Sequence, residues 1–276
     1  MHISKVSLIN YRNFENSKFL FSKGINTIIG ENASGKTNLF RAIRLLLDNS
    51  MRRSAMNLEE MDFSRGLSNW RGHWIIISLE FVEVSQDEEI QALFLHGLGN
   101  LENDNVDKAT YNLIFRPNKT VRRELSQLDL GNTDGLNQIL SDITINDYET
   151  VITGKSSVDF NNPNTYQTLV GNFETVSFPD ELNSPEIGGK VPPILSMSNV
   201  ISFTFVRALR DVVSDFHRNR TNPLLNLLKQ KSGEIKQEDF YPITQQAKEL
   251  NETIGELPDV TNVKKNVYDL AGLDID

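Results

Sequence analysis

Residues 30–37 read Gly30-Glu31-Asn32-Ala33-Ser34-Gly35-Lys36-Thr37, which is the Gly-x-x-x-x-Gly-Lys-Thr spacing of a Walker A phosphate-binding loop. In such a loop, backbone N–H groups and the N-terminus of the following helix surround the phosphates of a nucleotide. Lys36 carries the charge that neutralises phosphate oxygens, and the hydroxyl of Thr37 is a ligand of the kind that Mg²⁺ takes. The motif therefore predicts that ATP binds here with Mg²⁺, and that Thr37 is the metal ligand.

The sequence on either side of this loop predicts a strand before it and a helix after it. Residues 2–9 alternate between polar and apolar side chains, as a half-buried strand does. After a turn at Lys23-Gly24, Ile25–Ile29 predicts a further strand that leads directly into the loop. Beyond the loop, apolar residues recur at helical spacing, at Leu39, Ile43, Leu46 and Leu47. We expect this helix to end at residues 48–50, so the motif has the strand and helix that it requires.

The rest of the chain divides into a strand-rich part and a helical part. Short strands are predicted at residues 74–82, 111–115 and 120–125, and loops at residues 161–164 and 179–193. Helices are predicted at residues 212–218, 224–230, 238–254 and 263–270. The predicted fold class is therefore α/β with mixed β-sheets, in a domain of residues 1–215 followed by a helical segment of residues 216–276.

The composition excludes several classes of site. The 276 residues include no cysteine and four histidines, so disulfides and thiolate metal sites are excluded and a zinc site built from histidines is disfavoured. The net charge of −9 argues against this chain being the main surface that grips DNA, because such surfaces are usually basic. The sequence has neither an apolar run of about 18 residues nor an N-terminal signal segment, which predicts a cytoplasmic protein that does not enter a membrane.

A complete ATPase site also needs a Walker B element, an apolar strand that ends in Asp and is followed by a catalytic Glu. Residues 75–80 come nearest to this pattern, but they lack the Asp, and their alternation is that of a sheet face. Ser232-Gly233-Glu234 is superficially similar to an ABC signature loop, yet no Walker B strand follows it. The sequence therefore holds half of an active site, and we expect no ATP turnover from this chain alone.

Features around the loop resemble the SMC-like, ABC-type ATPases of DNA repair and phage defence, the group that includes RecF. Val6–Ile9 followed by Asn10-Tyr11-Arg12-Asn13-Phe14 is similar to the first strand of that group and its turn. Asn32 and Asn38 are the positions that distinguish its phosphate loop from those of kinases and GTPases. The interval between the Arg12 turn and the loop also fits. The resemblance implies a P-loop ATPase lobe of the ABC type.

Within that group the chain resembles the OLD (overcoming lysogenisation defect) family, which includes the nuclease subunit of Gabija defence. The similar stretches are Asp62-Phe63, Phe205–Asp211 and Asn222–Leu228. Members have an N-terminal ATPase domain, interrupted by a helical dimerisation insert, and a C-terminal Toprim nuclease domain. The signature loop, the Walker B element and the Toprim acidic cluster are missing from this sequence. The resemblance therefore implies the N-terminal portion of a longer protein that ends inside the insert.

The same resemblance implies partners and additional site residues. The expected partners are further copies of the chain, joined through the helical insert, DNA bound by other parts of the full protein, and a partner protein in defence. The predicted nucleotide-binding residues are Gly30, Asn32, Ala33, Ser34, Gly35, Lys36, Thr37 and Asn38, with Arg12 and Asn13 from the preceding turn. For the last two, a solvated turn between strands is the alternative.

Three further residues stand where related ATPases have a Q-loop, which senses the γ-phosphate. They are Arg207, Arg210 and Asp211. The alternative for them is an ordinary helix start with Asp211 as its cap.

Two functions remain open on the sequence. In the first, bound ATP gates a DNA nuclease located elsewhere in the full protein, in anti-phage defence or DNA processing. In the second, the same fold is an ATP-dependent sensor or scaffold without nuclease activity, which acts through a partner effector. A small-molecule kinase is disfavoured because paired strands precede Gly30 and a long β-rich stretch follows Ser50. A transporter ABC subunit is disfavoured because its signature and Walker B motifs are missing.

Overall fold

The computed structural model describes residues 1–84, 99–102, 105–180, 187–191, 201, 203–205 and 245. The chain divides into two compact units, Met1–Phe203 and Thr204–Asp276, and nearly all described residues belong to the first. The predicted boundary after residue 215 and the predicted helices beyond it lie outside the described residues, apart from Gln245, which is helical. Within the described ranges, no helix is long and apolar enough to cross a membrane.

The first unit is built on one sheet. Its described strands are β1 (His2–Tyr11), β2 (Phe14–Leu20), β3 (Ile75–Val82), β4 (Gly99–Glu102), β5 (Asn105–Pro117), β6 (Tyr148–Gly154) and β7 (Gly189–Lys190). They lie in the order β2-β1-β3-β5-β6-β7, with β4 beside β5. All of these pairings are antiparallel. Strand β3 matches the strand predicted at residues 74–82 except for its first residue, and β5 contains the strand predicted at residues 111–115.

Five helices accompany this sheet in the described ranges. They are α1 (Lys36–Leu47), α2 (Arg52–Met56), α3 (Lys119–Ser126), α4 (Thr133–Asp142) and α5 (Pro163–Val170). Helix α1 is the amphipathic helix that the apolar spacing predicts, and it ends at Asp48, which accepts a hydrogen bond from the backbone N–H of Ser50 at 2.9 Å. The predicted loop at residues 161–164 instead contains the cap and the first residues of α5, because Asn162 caps that helix and Pro163 begins it.

The two faces of the sheet carry separate hydrophobic cores, because side chains alternate along each strand. One core joins Leu8, Ile77 and Leu113 of the sheet to Leu39 and Leu46 of α1. The core on the opposite face contains Ile76 and Ile114 of the sheet, with Leu169 and Val170 of α5. Helix α1, and with it the predicted phosphate loop, therefore lies on one side of the sheet, and α5 lies on the other.

The prediction of a strand at residues 120–125 is wrong, because these residues form most of α3. Val121 and Leu125 are one helical turn apart and are both buried, so one stripe of the helix faces the core. Asn118 caps the helix, since its Oδ1 accepts a hydrogen bond from the backbone N–H of Val121 at 3.1 Å. The β-branched side chains of this stretch favour a strand, and the cap and the core contacts outweigh that preference.

The strand predicted at Ile25–Ile29 is also absent: these residues have no regular secondary structure. Ile25 is 98% exposed and Ile29 is 90% exposed. A strand needs a partner for its backbone hydrogen bonds, and none of the described strand pairings includes this segment. The chain therefore enters the phosphate loop as an irregular and largely exposed segment.

A line of buried polar side chains crosses three strands of the sheet. Ser78 Oγ of β3 donates to Asn112 Oδ1 of β5 at 2.6 Å, and Asn112 Nδ2 donates to Thr153 Oγ1 of β6 at 3.1 Å. The hydroxyl of Thr153 donates in turn to the carbonyl of Ile187 at 2.8 Å. Asn112 has no exposed surface, so these bonds replace the water that its amide loses on folding.

A second buried polar group surrounds His73. The hydroxyl of Tyr166 accepts hydrogen bonds from Asn10 Nδ2 at 2.8 Å and from the backbone N–H of Trp74 at 3.1 Å. Its own proton is therefore available for His73 Nδ1, which lies 3.2 Å away. The ring of His73 also stacks on Phe173 at 4.1 Å between centroids. Burial lowers the pKa of His73 to about 4, which keeps the imidazole neutral near pH 7.

We expect acid to destabilise the protein through His73. The folded state holds the pKa of His73 at about 4, below its ordinary value of 6.5. The contribution of His73 to the free energy of unfolding is therefore fully present above pH 6.5, and it is lost as the pH drops towards 4. The loss amounts to about 3 kcal/mol. Urea unfolding of the wild type and of the neutral variant His73→Gln between pH 7.5 and 4 measures it. The free energies of unfolding of the two proteins should converge over this window, and parallel profiles would contradict the assignment.

Candidate functional site

The phosphate loop is placed by the turn that begins α1. Gly35 is the N-cap residue of the helix and has a φ of 99°, a left-handed conformation that favours glycine. A Cβ at this position would overlap the side chain of Asn13. Ala33 has a φ of 67°, and the backbone N–H of Ser34 donates to the carbonyl of Glu31 at 3.3 Å. The loop therefore curls over the N-terminus of a twelve-residue helix, where backbone N–H groups have no partner within the helix.

Lys36 lies inside this curl. Its Nζ donates to the carbonyl oxygens of Gly30 and Glu31, both at 2.6 Å. Asn32, Ala33, Ser34 and Thr37 are exposed, while Lys36 and Asn38 are half-buried. The ammonium is thus held at the loop, and the loop is open to a ligand from solvent.

The turn between β1 and β2 is connected to the loop by side-chain hydrogen bonds. Arg12 NH1 donates to Asn38 Oδ1 at 3.2 Å, and Asn38 Nδ2 donates to Asn13 Oδ1 at 2.7 Å. Asn13 Nδ2 donates to the carbonyl of Ser34 at 3.4 Å. The chain of bonds joins the turn, the first helix and the loop into one cluster. Arg12 and Asn13 therefore lie beside the loop, and their contact with a nucleotide stays a prediction.

A buried carboxylate, that of Asp62, fixes Arg12 from the other side. Arg12 Nε and NH2 each lie 2.8 Å from Asp62 Oδ1, and the backbone N–H of Arg12 donates to the carbonyl of Asp62, also at 2.8 Å. The side chain of Asp62 is 4% exposed, and Arg41 NH2 is 3.9 Å from the same oxygen. Burial raises the pKa of the adjacent Tyr11, so its hydroxyl stays protonated. The charged groups around Asp62 are therefore its own carboxylate and the guanidinium groups of Arg12 and Arg41.

Asp62 stands in one of the stretches that resemble the OLD family, but the sequence predicts no role for it. The signal that could have found it is a charged residue directly before an apolar one, Phe63, in the segment that follows the first helix. A buried carboxylate in such a place needs a cationic partner, and the folded chain supplies Arg12 and Arg41 from distant positions in the sequence.

Ten of the thirteen predicted site residues lie together in the structure, and the other three lie outside the described residues. The residues of the loop, with Arg12, Asn13 and Asn38, form one cluster. Arg207, Arg210 and Asp211, the predicted Q-loop, lie outside the described residues. No group of three or more His, Cys, Asp or Glu side chains that could hold a metal occurs in the part of the chain that the structure describes. The role of Thr37 as an Mg²⁺ ligand therefore stays a prediction.

The chemistry of this cluster is that of an anion site. It combines a helix N-terminus, a held ammonium at Lys36 and a guanidinium oriented by Asp62, and these are donors that stabilise phosphate charge. The lack of a Cβ at Gly35 lets the side chain of Asn13 lie directly against the backbone of the loop. These residues fit the polyphosphate of a nucleotide.

Known proteins are similar to segments of this chain. A "DNA replication and repair protein RecF" of Oceanobacillus iheyensis is 56% identical over 46 residues, which is 17% of this chain and 12% of the relative. A "DNA double-strand break repair Rad50 ATPase" of Thermoplasma acidophilum is 32% identical over 105 residues, 34% of this chain and 11% of the relative. RecF of Limosilactobacillus fermentum is 40% identical over 72 residues, 26% of this chain and 19% of the relative.

These matches span less than a fifth of each relative's length. Among solved structures, a chain from a study of ATP-driven dimerisation and DNA-stimulated activation of SMC ATPases aligns with 42% of this chain and 64% of its own length. Its identity is 20% and the TM-score is 0.29.

The family assignment rests on a match over almost the whole sequence. The family model described as AAA ATPase domain matches residues 1–270, which include the loop, the sheet, all of the first unit and most of the second. This match and the α/β architecture confirm the predicted fold class, a P-loop ATPase lobe of the ABC type. The chain belongs to the AAA ATPase domain family.

Proposed function

We propose that this chain is the ATP-binding N-terminal region of an OLD-family ATPase, in which ATP with Mg²⁺ at residues 30–37 gates a DNA nuclease located elsewhere in the full protein. The observation that carries the nucleotide site is the bonded cluster from Asp62 through Arg12, Asn38 and Asn13 to the carbonyl of Ser34. These bonds order the turn and the loop before a ligand arrives, which lowers the entropy cost of binding phosphate there.

ATP acts in this proposal as a switch on assembly. The sequence supplies a phosphate loop without a Walker B element, so a bound ATP needs groups from another polypeptide segment before it is hydrolysed. Further copies of the chain, joined through residues 216–276, and DNA held by other parts of the protein complete the arrangement. In the same proposal, residues 1–215 form the ATPase lobe. Support for a role in DNA processing comes from the names of the RecF and Rad50 relatives.

Binding without turnover is the expected behaviour of this chain. A titration with a fluorescent ATP analogue should saturate in the presence of Mg²⁺ and weaken when EDTA removes the metal, because Mg²⁺ neutralises phosphate charge at the site. Phosphate release in the same samples should stay at the level of a protein-free control. Turnover that the variant Lys36→Ala abolishes would contradict the half-site interpretation.

The nuclease part of the proposal is tested on the product of the complete reading frame. Cleavage of supercoiled plasmid DNA that changes with ATP supports a gated nuclease. ATP binding without cleavage, in a protein whose sequence carries no Toprim acidic pattern, favours the sensor or scaffold that acts through a partner effector. Cleavage that is the same with and without ATP would contradict gating.

A further inference from the structure

A cavity of about 570 Å³ lies on the sheet face opposite α1. Its floor includes Arg116 of β5 and Val151 and Glu149 of β6, and Arg116 pairs with Glu149 in the strand register. Arg116 is two residues from Ile114, which belongs to the core on the α5 side, and residues two apart on a strand share a face. The sheet therefore separates this cavity from the phosphate loop, so a ligand here would not occupy the nucleotide site.

The described residues that line this cavity carry an excess of positive charge. The cations are Arg116, Lys119, Arg122 and Lys190, and the carboxylates are Glu149 and Asp180. The excess of two positive charges stands in a chain whose net charge is −9. Such a local reversal of sign favours an anion. The two negative charges of a phosphate dianion would balance the excess of two positive charges.

The two guanidinium groups are held in place before any ligand arrives. Arg116 Nε and Arg122 NH1 donate to the same oxygen, Glu149 Oε1, at 3.1 and 2.9 Å. Arg116 also stacks on the ring of Trp74, with its Cζ 5.3 Å from the ring centroid. Their side chains are only 18% and 11% exposed. Guanidinium groups that are fixed in this way bind phosphate oxygens with little loss of side-chain entropy.

Much of the remaining lining is apolar, and the space exceeds that of a bare phosphate. Leu125 of α3, Leu169 of α5, Ile187 and Phe178 contribute to the walls. The volume falls in the range of about 300–1,000 Å³ that is typical of small-molecule sites. We propose that this cavity binds a small organic phosphate, with the phosphate at the arginines and an apolar or planar body against these walls.

The test uses phenyl phosphate as the probe, with inorganic phosphate and benzoate for comparison. Amide NMR shifts of the whole chain during each titration locate the binding. Phenyl phosphate should move the resonances of Lys119 and Gly189 and leave that of Gly35 in place. It should bind at least about tenfold more tightly than either comparison compound. Benzoate lacks the phosphate that contacts the charged groups, and inorganic phosphate lacks the ring that contacts the apolar walls.

Charge-removing variants separate this site from the phosphate loop. Lys119→Gln and Lys190→Gln change exposed side chains at the rim, so they leave folding intact and should each weaken phenyl phosphate severalfold. Arg122→Gln should weaken it about tenfold, and its neighbour Arg123→Gln, exposed on the same helix and outside the cavity lining, is the matched control. The proposal would be overturned if no saturable binding is seen, or if benzoate binds as tightly as phenyl phosphate. It would also be overturned if Lys36→Ala abolishes the binding of phenyl phosphate, or if both rim variants bind it with unchanged affinity.

Discussion

Replacing Lys36 with alanine is expected to lower the affinity for ATP by at least about a hundredfold, because a lost contact between charged groups of about 3 kcal/mol corresponds to that factor. Lys36 Nζ already lies inside the loop, where it donates to the carbonyls of Gly30 and Glu31, so a phosphate that enters the loop meets this ammonium there. Isothermal titration with ATP and Mg²⁺ measures the change.

The control for this substitution is Lys18→Ala. Lys18 is an exposed lysine of β2, so its removal changes the net charge equally and leaves the loop intact. Both variants should unfold within about 0.5 kcal/mol of the wild type, as surface substitutions usually do. Equal ATP affinity in wild type and Lys36→Ala would show that residues 30–37 are not the nucleotide site.

The second large effect is expected at Asp62, where a substitution should change stability and nucleotide binding together. Asp62→Ala leaves Arg12 and Arg41 beside a buried site without their carboxylate, and the loss of one partner of a buried pair costs about 3 kcal/mol. Arg12 also loses the contact that aims it at Asn38. We therefore expect a lower free energy of unfolding in urea and an ATP affinity reduced about tenfold.

A double-mutant cycle separates the positioning role of Asp62 from a purely structural one. If Asp62 acts through Arg12, the effects of Arg12→Ala and Asp62→Ala on ATP affinity should not add in the double variant. Asp62→Asn keeps an oxygen for Arg12 and should recover part of the affinity. Additive losses in the cycle, or wild-type affinity in both single variants, would contradict the relay between this carboxylate and the loop.

The parts of the fold that the sequence predicted are those with a strong local signal. Helix α1 follows from the spacing of Leu39, Ile43 and Leu46 and from the motif that precedes it. The place of Arg12 beside the loop did not follow from spacing alone. It depends on Asp62, which is distant in the sequence and is bonded to Arg12 only in the folded chain.

The errors arose where local preference and tertiary partners disagree. Thr120 and Val121 are β-branched and favour a strand, but Asn118 and the buried positions of α3 stabilise a helix. Ile25–Ile29 has the composition of a strand, and whether it pairs depends on backbone groups elsewhere, which no local pattern specifies. The cavity beside Arg116 was also not predicted, because its walls come from six separate segments of the chain.

The buried line of Ser78, Asn112 and Thr153 has a consequence for how the sheet folds. These residues stand opposite one another in the register of β3, β5 and β6. If one strand slips by a single residue, the side chain of Asn112 loses its partners or turns to the other face. An amide left buried without partners costs about 1–3 kcal/mol. Neighbouring apolar residues of similar size would accept the slip at little cost, so the three polar side chains select the correct alignment among mispaired intermediates.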